Sequence, residues 1–297
     1  MNDSLDRDTL IRFVLEHSGI RGVLVRLDRT WTDLRGESAY PDAVAQRLGE
    51  VCAASALFTG HIKTQGRLSV QMRGTGALRT LFAECTAAGT LRGIAQWEPP
   101  LPAVLAPRDF GDGSVLAITI EHPRPGQQEP IRYQGLIGLG TTTLAQAFED
   151  YFEQSEQLPS RILLSANDTC AAGLMLQRLP GSELDPDGWD RACALFATLT
   201  PAELRDTPAL TLLYRLFHED GVRVLGSQAL RFACSCSRER VGAVLVSLGQ
   251  EEALAAAADT GIAEITCEFC NRRYTFDRVD LGLLFAAHPS TAPARPQ

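Results

Sequence analysis

Two short stretches decide how this chain is read: ACSCSRER, Ala233–Arg240, and TCEFCNRRYTF, Thr266–Phe276. They place Cys234 beside Cys236 and Cys267 beside Cys270 in the spacing CxC-x30-CxxC. Four thiolates can close a tetrahedral zinc site that leaves no position open for a substrate. No histidine lies in this segment, which removes the mixed Cys/His arrangement of catalytic zinc sites and favours binding by Cys234, Cys236, Cys267 and Cys270.

The flanking residues supply a frame. Leu230 and Phe232 alternate into the CxC pair, and Ser237 can cap a helix that runs through Leu248 and stops at Gly249. EEALAAAAD gives a second helix ending before Gly261, AEIT leads into the CxxC pair, and Tyr274 and Phe276 alternate out of it. The predicted order is strand, CxC, two helices, strand, CxxC, strand, in a compact domain over 228–285. CxxC is also a thioredoxin-like redox motif, but there it follows a strand and opens a helix. Here the strand-like NRRYTF follows, so a metal-binding hairpin is the stronger reading. A nucleic-acid-binding zinc ribbon is a better rival, helped by Arg238, Arg240, Arg272 and Arg273. Yet Arg231–Asp280 holds six arginines, no lysine and eight acidic residues, a net −2. A zinc centre with four thiolates is itself formally −2, so those arginines can simply offset it. A purely structural zinc site stays open beside both.

The rest of the chain is globular in composition: 297 residues, 45% hydrophobic and 22% charged. A net charge of −8 disfavours a surface built for phosphate backbones, so no nucleic acid is expected. MNDSLDRDTL carries no apolar core of a secretory signal, and no segment approaches the ~20 apolar residues of a membrane span. The expectation is a cytoplasmic protein without membrane partners. In such a reducing compartment the clustered cysteines argue for metal or redox chemistry, and the scattered Cys52, Cys85, Cys170 and Cys193 for core packing.

Up to about Leu179 both periods occur. Asp42–Phe58 has helical spacing; Arg67–Met72, Val115–Ile120, Ile131–Ile137 and the pair RILLSA and GLMLQRL are strand candidates, the last two joined by a turn at Asn167 and Asp168. Thr143–Gln154 is a predicted helix. Because strands cluster rather than alternate with helices, the fold class is α+β: an N-terminal domain over 1–180, a helical linker over 181–227, the four-cysteine domain over 228–285 and a disordered tail over 286–297. The boundary stretch is LPGSELDPDGW, Leu179–Trp189, whose Asp185–Asp187 lacks the twelfth-position Glu of a calcium loop. In the linker, Thr200, Pro201 and Glu203 form a capping box, and Thr207 with Pro208 starts a helix whose apolar face is Leu210, Leu212, Leu213, Leu216 and Phe217.

A domain of about 50 residues buries too little to be robust alone, whereas bound zinc contributes ~10 to 16 kcal/mol in small zinc-dependent folds. Oxidation of the thiolates removes that contribution, melts the domain and loosens the neighbouring apolar helices.

CSCSRER with CEFC thirty residues later, together with YFEQSEQLPSR (Tyr151–Arg161), RYQGLIGL (Arg132–Leu139) and IRGVLV (Ile20–Val25), closely resembles the redox-regulated heat-shock protein 33 chaperone family, from the N-terminus to about Phe276. The resemblance implies a holdase that is inactive when reduced and bound to one zinc ion, and active without ATP when oxidised. It further implies that Cys234, Cys236, Cys267 and Cys270 hold Zn2+, and that oxidation pairs Cys234 with Cys236 and Cys267 with Cys270, the CxxC pair first. Zinc release, unfolding of the C-terminal domain and linker, formation of a homodimer and binding of unfolded client proteins follow. Two positions depart from the family: Asn271 follows the last cysteine where a small residue is common, and Val241 stands where some members carry a further cysteine. Asn tolerates a left-handed turn, and Val241 is outside the ligand set.

Other stretches carry blander readings. RGTGAL, Arg73–Leu78, is a strand-end turn rather than a dinucleotide site, and GLGTTTLAQAF lacks the lysine of a P-loop and needs only a threonine cap. His17, His61, His122, His218 and His288 are scattered, and no nucleophile and base set supports an enzyme.

Overall fold

The structure, a computed structural model, describes residues 7–36, 39–61, 65–124, 126, 129–180, 185–258 and 260–287. The chain divides into two compact units, between Ala233 and Cys234.

The first unit is built on two sheets. One has five strands in the order β10-β1-β2-β9-β8: β1 (Thr9–Leu15), β2 (Ile20–Leu27), β8 (Ser160–Ala166), β9 (Ala171–Arg178) and β10 (Val222–Ala229). The other has six in the order β11-β5-β4-β3-β6-β7: β3 (Arg67–Arg73), β4 (Leu78–Thr86), β5 (Thr90–Trp97), β6 (Val115–His122), β7 (Ile131–Gly138) and β11 (Arg231–Phe232). All pairs are antiparallel except β11 with β5. The turn between β8 and β9 is set by Asn167, whose Oδ1 accepts from the backbone of Thr169 and Cys170 at 3.0 and 2.8 Å.

The helix α2 (Asp42–His61) packs against strands of both sheets, and every residue from Leu48 to Gly60 is buried. A helix enclosed on all sides needs no polar face, so VCAASALF, Val51–Phe58, carries Ser55 as its one polar side chain. Its small residues permit close approach: a Cβ on Gly49 would lie 2.6 Å from the Ala166 side chain. Between the sheets Val23, Val25 and Leu27 of β2 join Phe58, Phe148 and Trp31 in one core.

The five-stranded sheet has a second buried face. Ile11, Phe13 and Leu15 of β1 and Ile20 and Leu24 of β2 meet α4 (Gly188–Ala197), α5 (Pro201–Asp206) and α6 (Ala209–Phe217) there. The stretch expected as a linker, 181–227, is thus helical from Gly188 to Phe217 and then enters β10, while 181–184 lie outside the described residues. Arg191 of α4 pairs with the buried Asp220 and, at 2.8 Å, with Asp185. The capping box of α5 forms as the sequence predicts, Glu203 N to Thr200 Oγ1 at 3.2 Å and Thr200 N to Glu203 Oε2 at 3.1 Å. The apolar face of α6 differs from expectation: Ala209, Leu212, Leu213 and Phe217 are buried, whereas Leu210 is 52% exposed. Leu210 lies four residues before exposed Tyr214, on the outer side of the helix.

The glycine-rich RGTGAL is a turn between β3 and β4, packed so closely that a Cβ on Gly74 would lie 2.0 Å from the Phe110 carbonyl oxygen. In GLGTTTLAQAF, Thr143 Oγ1 accepts from Gln146 N at 3.2 Å and caps α3 (Leu144–Tyr151), which continues into a π-helical turn, Phe152–Glu156.

The second unit contains α7 (Arg238–Leu248), α8 (Gln250–Ala256), the antiparallel pair β12 (Ile262–Thr266) and β13 (Arg273–Asp277), and α9 (Arg278–Ala287). The helix α9 was not anticipated, and residues 286 and 287, expected in the tail, close it; 288–297 lie outside the described residues. Its start is a reciprocal cap between two aspartates: Asp280 N donates to Asp277 Oδ1 at 2.7 Å, and Asp277 N donates to Asp280 Oδ2 at 3.1 Å.

Candidate metal centre

Cys267 and Cys270 sit on the hairpin that joins β12 to β13. Cys267 N donates to Arg272 O at 2.9 Å and Asn271 N to Cys267 O at 2.8 Å, closing a tight knuckle. That closure requires a left-handed residue, and Asn271 supplies it at φ 54°. Cys234 and Cys236 precede α7, whose N-cap Ser237 accepts from Arg240 N. Arg240 in turn donates to Ser235 O at 2.7 Å, bracing the backbone between the two cysteines.

The four sulfurs converge. Cys234 Sγ lies 3.6 Å from Cys267 Sγ, Cys236 Sγ lies 3.4 Å from Cys270 Sγ, and all four are within 4.8 Å of one another. Thiolates about 2.3 Å from a tetrahedral zinc ion stand roughly 3.8 Å apart, so the set has the size and chemistry of a four-sulfur zinc site. Among the described residues no other group of three or more metal-ligating side chains is brought together. The donors also fit in charge. Burial alone would raise the Cys236 thiol, but hydrogen bonds from Tyr274 and the neighbouring thiols outweigh it and bring it down to about 7. Burial, with the proton sharing that favours Cys236, pushes Cys234 and Cys270 up. Negative charge is thus favoured at Cys236 among these sulfurs.

The four arginines near the cysteines have distinct tasks. Arg238 donates to Thr275 O and Asp280 Oδ2, both at 2.7 Å, and stacks 4.3 Å above the Phe276 ring. Arg273 faces Glu264 across the hairpin at 3.6 Å. Arg272 hydrogen-bonds with Tyr274 and lies near Cys236 and Cys270, and these contacts, the Tyr274 bond first, raise its pKa. Offsetting thiolate charge therefore falls chiefly to Arg272, while Arg238, Arg240 and Arg273 hold the scaffold.

The core beneath the cluster is small: among the described residues nine are buried in it, Val241, Leu245, Ala253, Ala257, Ala263, Tyr274, Phe276, Leu281 and Phe285. Val241 packs in it rather than facing the sulfurs as a ligand.

The solitary cysteines behave differently. Cys52, Cys85 and Cys170 are buried in the first unit, where burial pushes the Cys85 and Cys170 thiols up to about 12 and Cys52 up as well. Cys193, half-buried on α4, is raised by the same cause. His61 is half-buried, and desolvation and the Arg21 charge bring it down to about 3, so it stays neutral. The sequence reading did not single out Tyr274 as a partner of the sulfurs, although its position four residues after Cys270 on an alternating strand placed it on the hairpin.

A family profile described as Hsp33 protein matches residues 8–277. The chain belongs to the Hsp33 family. Curated relatives of this family member include the 33 kDa chaperonin of Pseudomonas fluorescens strain Pf0-1, 41% identical and covering 99% of both chains. That of Nitrosococcus oceani is 41% identical, covering 94% of this chain and 95% of its own. The Hahella chejuensis protein is 42% identical over 94% and 97% of the two chains. Among solved structures, the 33 kDa chaperonin of Thermotoga maritima superposes with a TM-score of 0.77 at 21% identity, covering 94% of this chain and 98% of its own, and shares the Hsp33 fold. No described helix is long and apolar enough to cross a membrane.

Proposed function

We propose that this protein is an ATP-independent holdase chaperone, not an enzyme, switched on by oxidation of its four-cysteine cluster. Convergence of Cys234, Cys236, Cys267 and Cys270 within 4.8 Å, in a unit whose described residues form a core of nine, is the observation that carries the proposal. In the reduced state one zinc ion per chain, held by the four sulfurs, supplies a cross-link that a core of this size lacks. Tyr274 and Arg272 stabilise the charge on Cys236 and Cys270, and the Asn271 turn holds the CxxC sulfurs on one side.

On oxidation Cys267 pairs with Cys270 and Cys234 with Cys236. Each disulfide forms as two thiols lose two electrons and two protons; one hydrogen peroxide is reduced to two waters. The sulfurs then no longer serve as thiolate ligands, the 228–285 domain unfolds, and the 181–227 segment loosens from the sheet face it covers. Client proteins bind the apolar surface uncovered on the 1–180 domain, and the active form is a homodimer. The protein acts in the cytoplasm, on unfolded or partly folded polypeptides, without nucleic acid or membrane partners.

The test is aggregation of a heat-unfolded client, without ATP, mixed with zinc-loaded reduced protein or with peroxide-treated protein while zinc release is followed. Suppression that appears only after oxidation, together with zinc loss, is the expected result. Equal activity in both states with zinc retained overturns the switch and leaves a constitutive zinc-ribbon interaction module.

A further inference from the structure

At one end of the five-stranded sheet, the helical cover over its second buried face is held by a polar cluster. Three segments meet there: the β1–β2 turn through Ser18, the start of α4 through Asp185 and Arg191, and the short helical turn His218–Asp220 that follows α6. Both ends of the 185–220 stretch thus converge on a single turn, with α4, α5 and α6 and their buried apolar residues between them.

Asp220 is the centre of the cluster, and it is fully buried. Its Oδ1 accepts from Ser18 Oγ at 2.7 Å, from Arg191 Nε at 3.1 Å and from a second Arg191 nitrogen. Its Oδ2, equally buried, has no hydrogen-bond partner among the described residues. The two members of the pair are not held alike. Backbone bonds tie Asp220 to the sheet: His17 N donates to Asp220 O at 3.2 Å and Glu16 N to Gly221 O at 3.1 Å, beside the β1 and β10 ladder. Arg191 reaches the same carboxylate through its side chain, which is 39% exposed.

Removing one member of a buried ion pair leaves the other charge uncompensated, whereas neutralising both costs far less. Arg191 is the one cation paired with Asp220 among the described residues, and it also holds Asp185 at 2.8 Å. Without it, a buried anion with an unpartnered oxygen remains beneath α4, and the cover is driven to lift so that water reaches the charge. The sulfur cluster takes no part in this balance, because all four residues belong to the first unit. We propose that Asp220 and Arg191 form a charge clasp that holds the α4–α6 cover on the sheet independently of the metal, Asp220 as the fixed member and Arg191 as the removable one. That lifting the cover produces chaperone activity rests on the function proposed above; that the clasp keeps the cover down does not.

Hydrogen exchange of the 188–217 amides, followed by mass spectrometry on the reduced, zinc-loaded full-length protein, tests the clasp, with aggregation of a heat-unfolded client measured in parallel. Arg191→Met removes the counter-charge and keeps an apolar stem. It is expected to speed exchange across α4–α6 by about ten- to a hundredfold while zinc stays bound. Asp220→Asn keeps the shape without the charge, so the double variant R191M/D220N is expected to return to within about threefold of wild type. Where R191M fails to fold, Ser18→Ala withdraws one donor from the same oxygen and is expected to speed exchange by about three- to tenfold, again reversed by D220N. Unchanged exchange in R191M overturns the clasp. A double variant as open as the single one overturns it too, since Arg191 would then act by packing and not by charge. Fast exchange in R191M that D220N reverses, without suppression of aggregation, upholds the clasp and counts against the proposed function.

Discussion

Tyr274 donates its phenolic hydrogen to Cys236 Sγ at 3.1 Å, across the hairpin knuckle from the CxC pair. That bond ties the β13 strand to the one sulfur in the cluster whose thiol is drawn down, and Arg272 stands beside both groups. A hydrogen bond to a ligating sulfur fixes its orientation and stabilises its anionic form. Tyr274→Phe keeps the ring in its core position and removes only the hydroxyl. The variant is expected to hold zinc about tenfold more weakly in competition with a chromogenic chelator, with unchanged circular dichroism when fully loaded. Undiminished affinity would show that the hydroxyl is incidental to the sulfurs.

Glu50 and His61, both on the central helix α2, give opposing pH dependences. Burial raises the Glu50 carboxyl to about 7 despite Arg47 at 2.8 Å, so between its unfolded value of about 4.5 and 7 the folded state holds a proton that the unfolded state releases. The stability from that proton is complete below pH 4.5 and lost as pH rises through 7. His61, down at about 3, runs the other way: the unfolded chain takes up a proton near 6.5 that the desolvated ring beside Arg21 refuses, and stability falls as pH drops below 6.5. Wild-type protein is therefore expected to show a shallow profile between pH 5 and 7, where the two slopes cancel. Glu50→Gln exposes the histidine slope, and its stability relative to wild type is expected to rise by about 2 to 3 kcal/mol between pH 5 and pH 8. Urea unfolding followed by tryptophan emission measures this, since Trp31, Trp97 and Trp189 all belong to the first unit. A gap that stays constant with pH would place the Glu50 carboxylate in the ordinary range.

The left-handed Asn271 allows a test at the knuckle itself. Non-glycine residues in that region of backbone space carry a steric penalty of about 1 kcal/mol, smaller for asparagine and larger for a β-branched side chain. Asn271→Gly is expected to leave zinc affinity and the thermal midpoint of the metallated second unit within error or slightly raised. Asn271→Val is expected to lower that affinity severalfold, because the strained turn no longer aims Cys267 and Cys270 at the other sulfurs. Equal behaviour of the two variants in chelator competition would mean that the turn does not set the sulfur geometry.

The sequence disclosed the second unit more fully than the first, for physical reasons visible in single residues. Ser237, Gly249 and the alternation through Tyr274 and Phe276 are local signals, and α7, β12 and β13 stand where those signals put them. The helix α9 escaped because its cap pairs Asp277 with Asp280, where a Ser or Thr and a Glu are the usual mark. In the first unit β1 and β2 went unassigned because the five-stranded sheet is buried on both faces. Val23 and Val25 point to one core and Ile20 and Leu24 to the other, so the polar half of the alternation is missing. β10 was hidden for the opposite reason: it is an edge strand whose Val224 and Leu225 are exposed, following helices that made the whole segment read as a linker. The convergence of four sulfurs could be expected from spacing; the Asp8 carboxylate accepting from the backbone N–H groups of Asp28, Arg29 and Thr30 could not, because only the fold brings those positions together.

Gly22 and Phe13 are direct cross-strand partners of β2 and β1, and the Phe13 ring lies over the glycine where a side chain would stand. A Cβ on Gly22 would meet Phe13 Cζ at 2.1 Å, and the ring is fully buried in the core shared with α4–α6, so it cannot swing outward. Gly22→Ala therefore forces the ring off its rotamer and is expected to destabilise the first unit by about 1 to 3 kcal/mol. Phe13→Leu creates a void and is expected to lose about 1 to 2 kcal/mol by itself. Combined, the smaller side chain vacates the space that the new methyl needs, so the double variant should lose less than the two single losses added together, by at least about 1 kcal/mol. Urea midpoints of the four proteins give the coupling directly. Simple additivity would mean that the strands part to admit the methyl, and that the ring over Gly22 does not fix the spacing of β1 and β2.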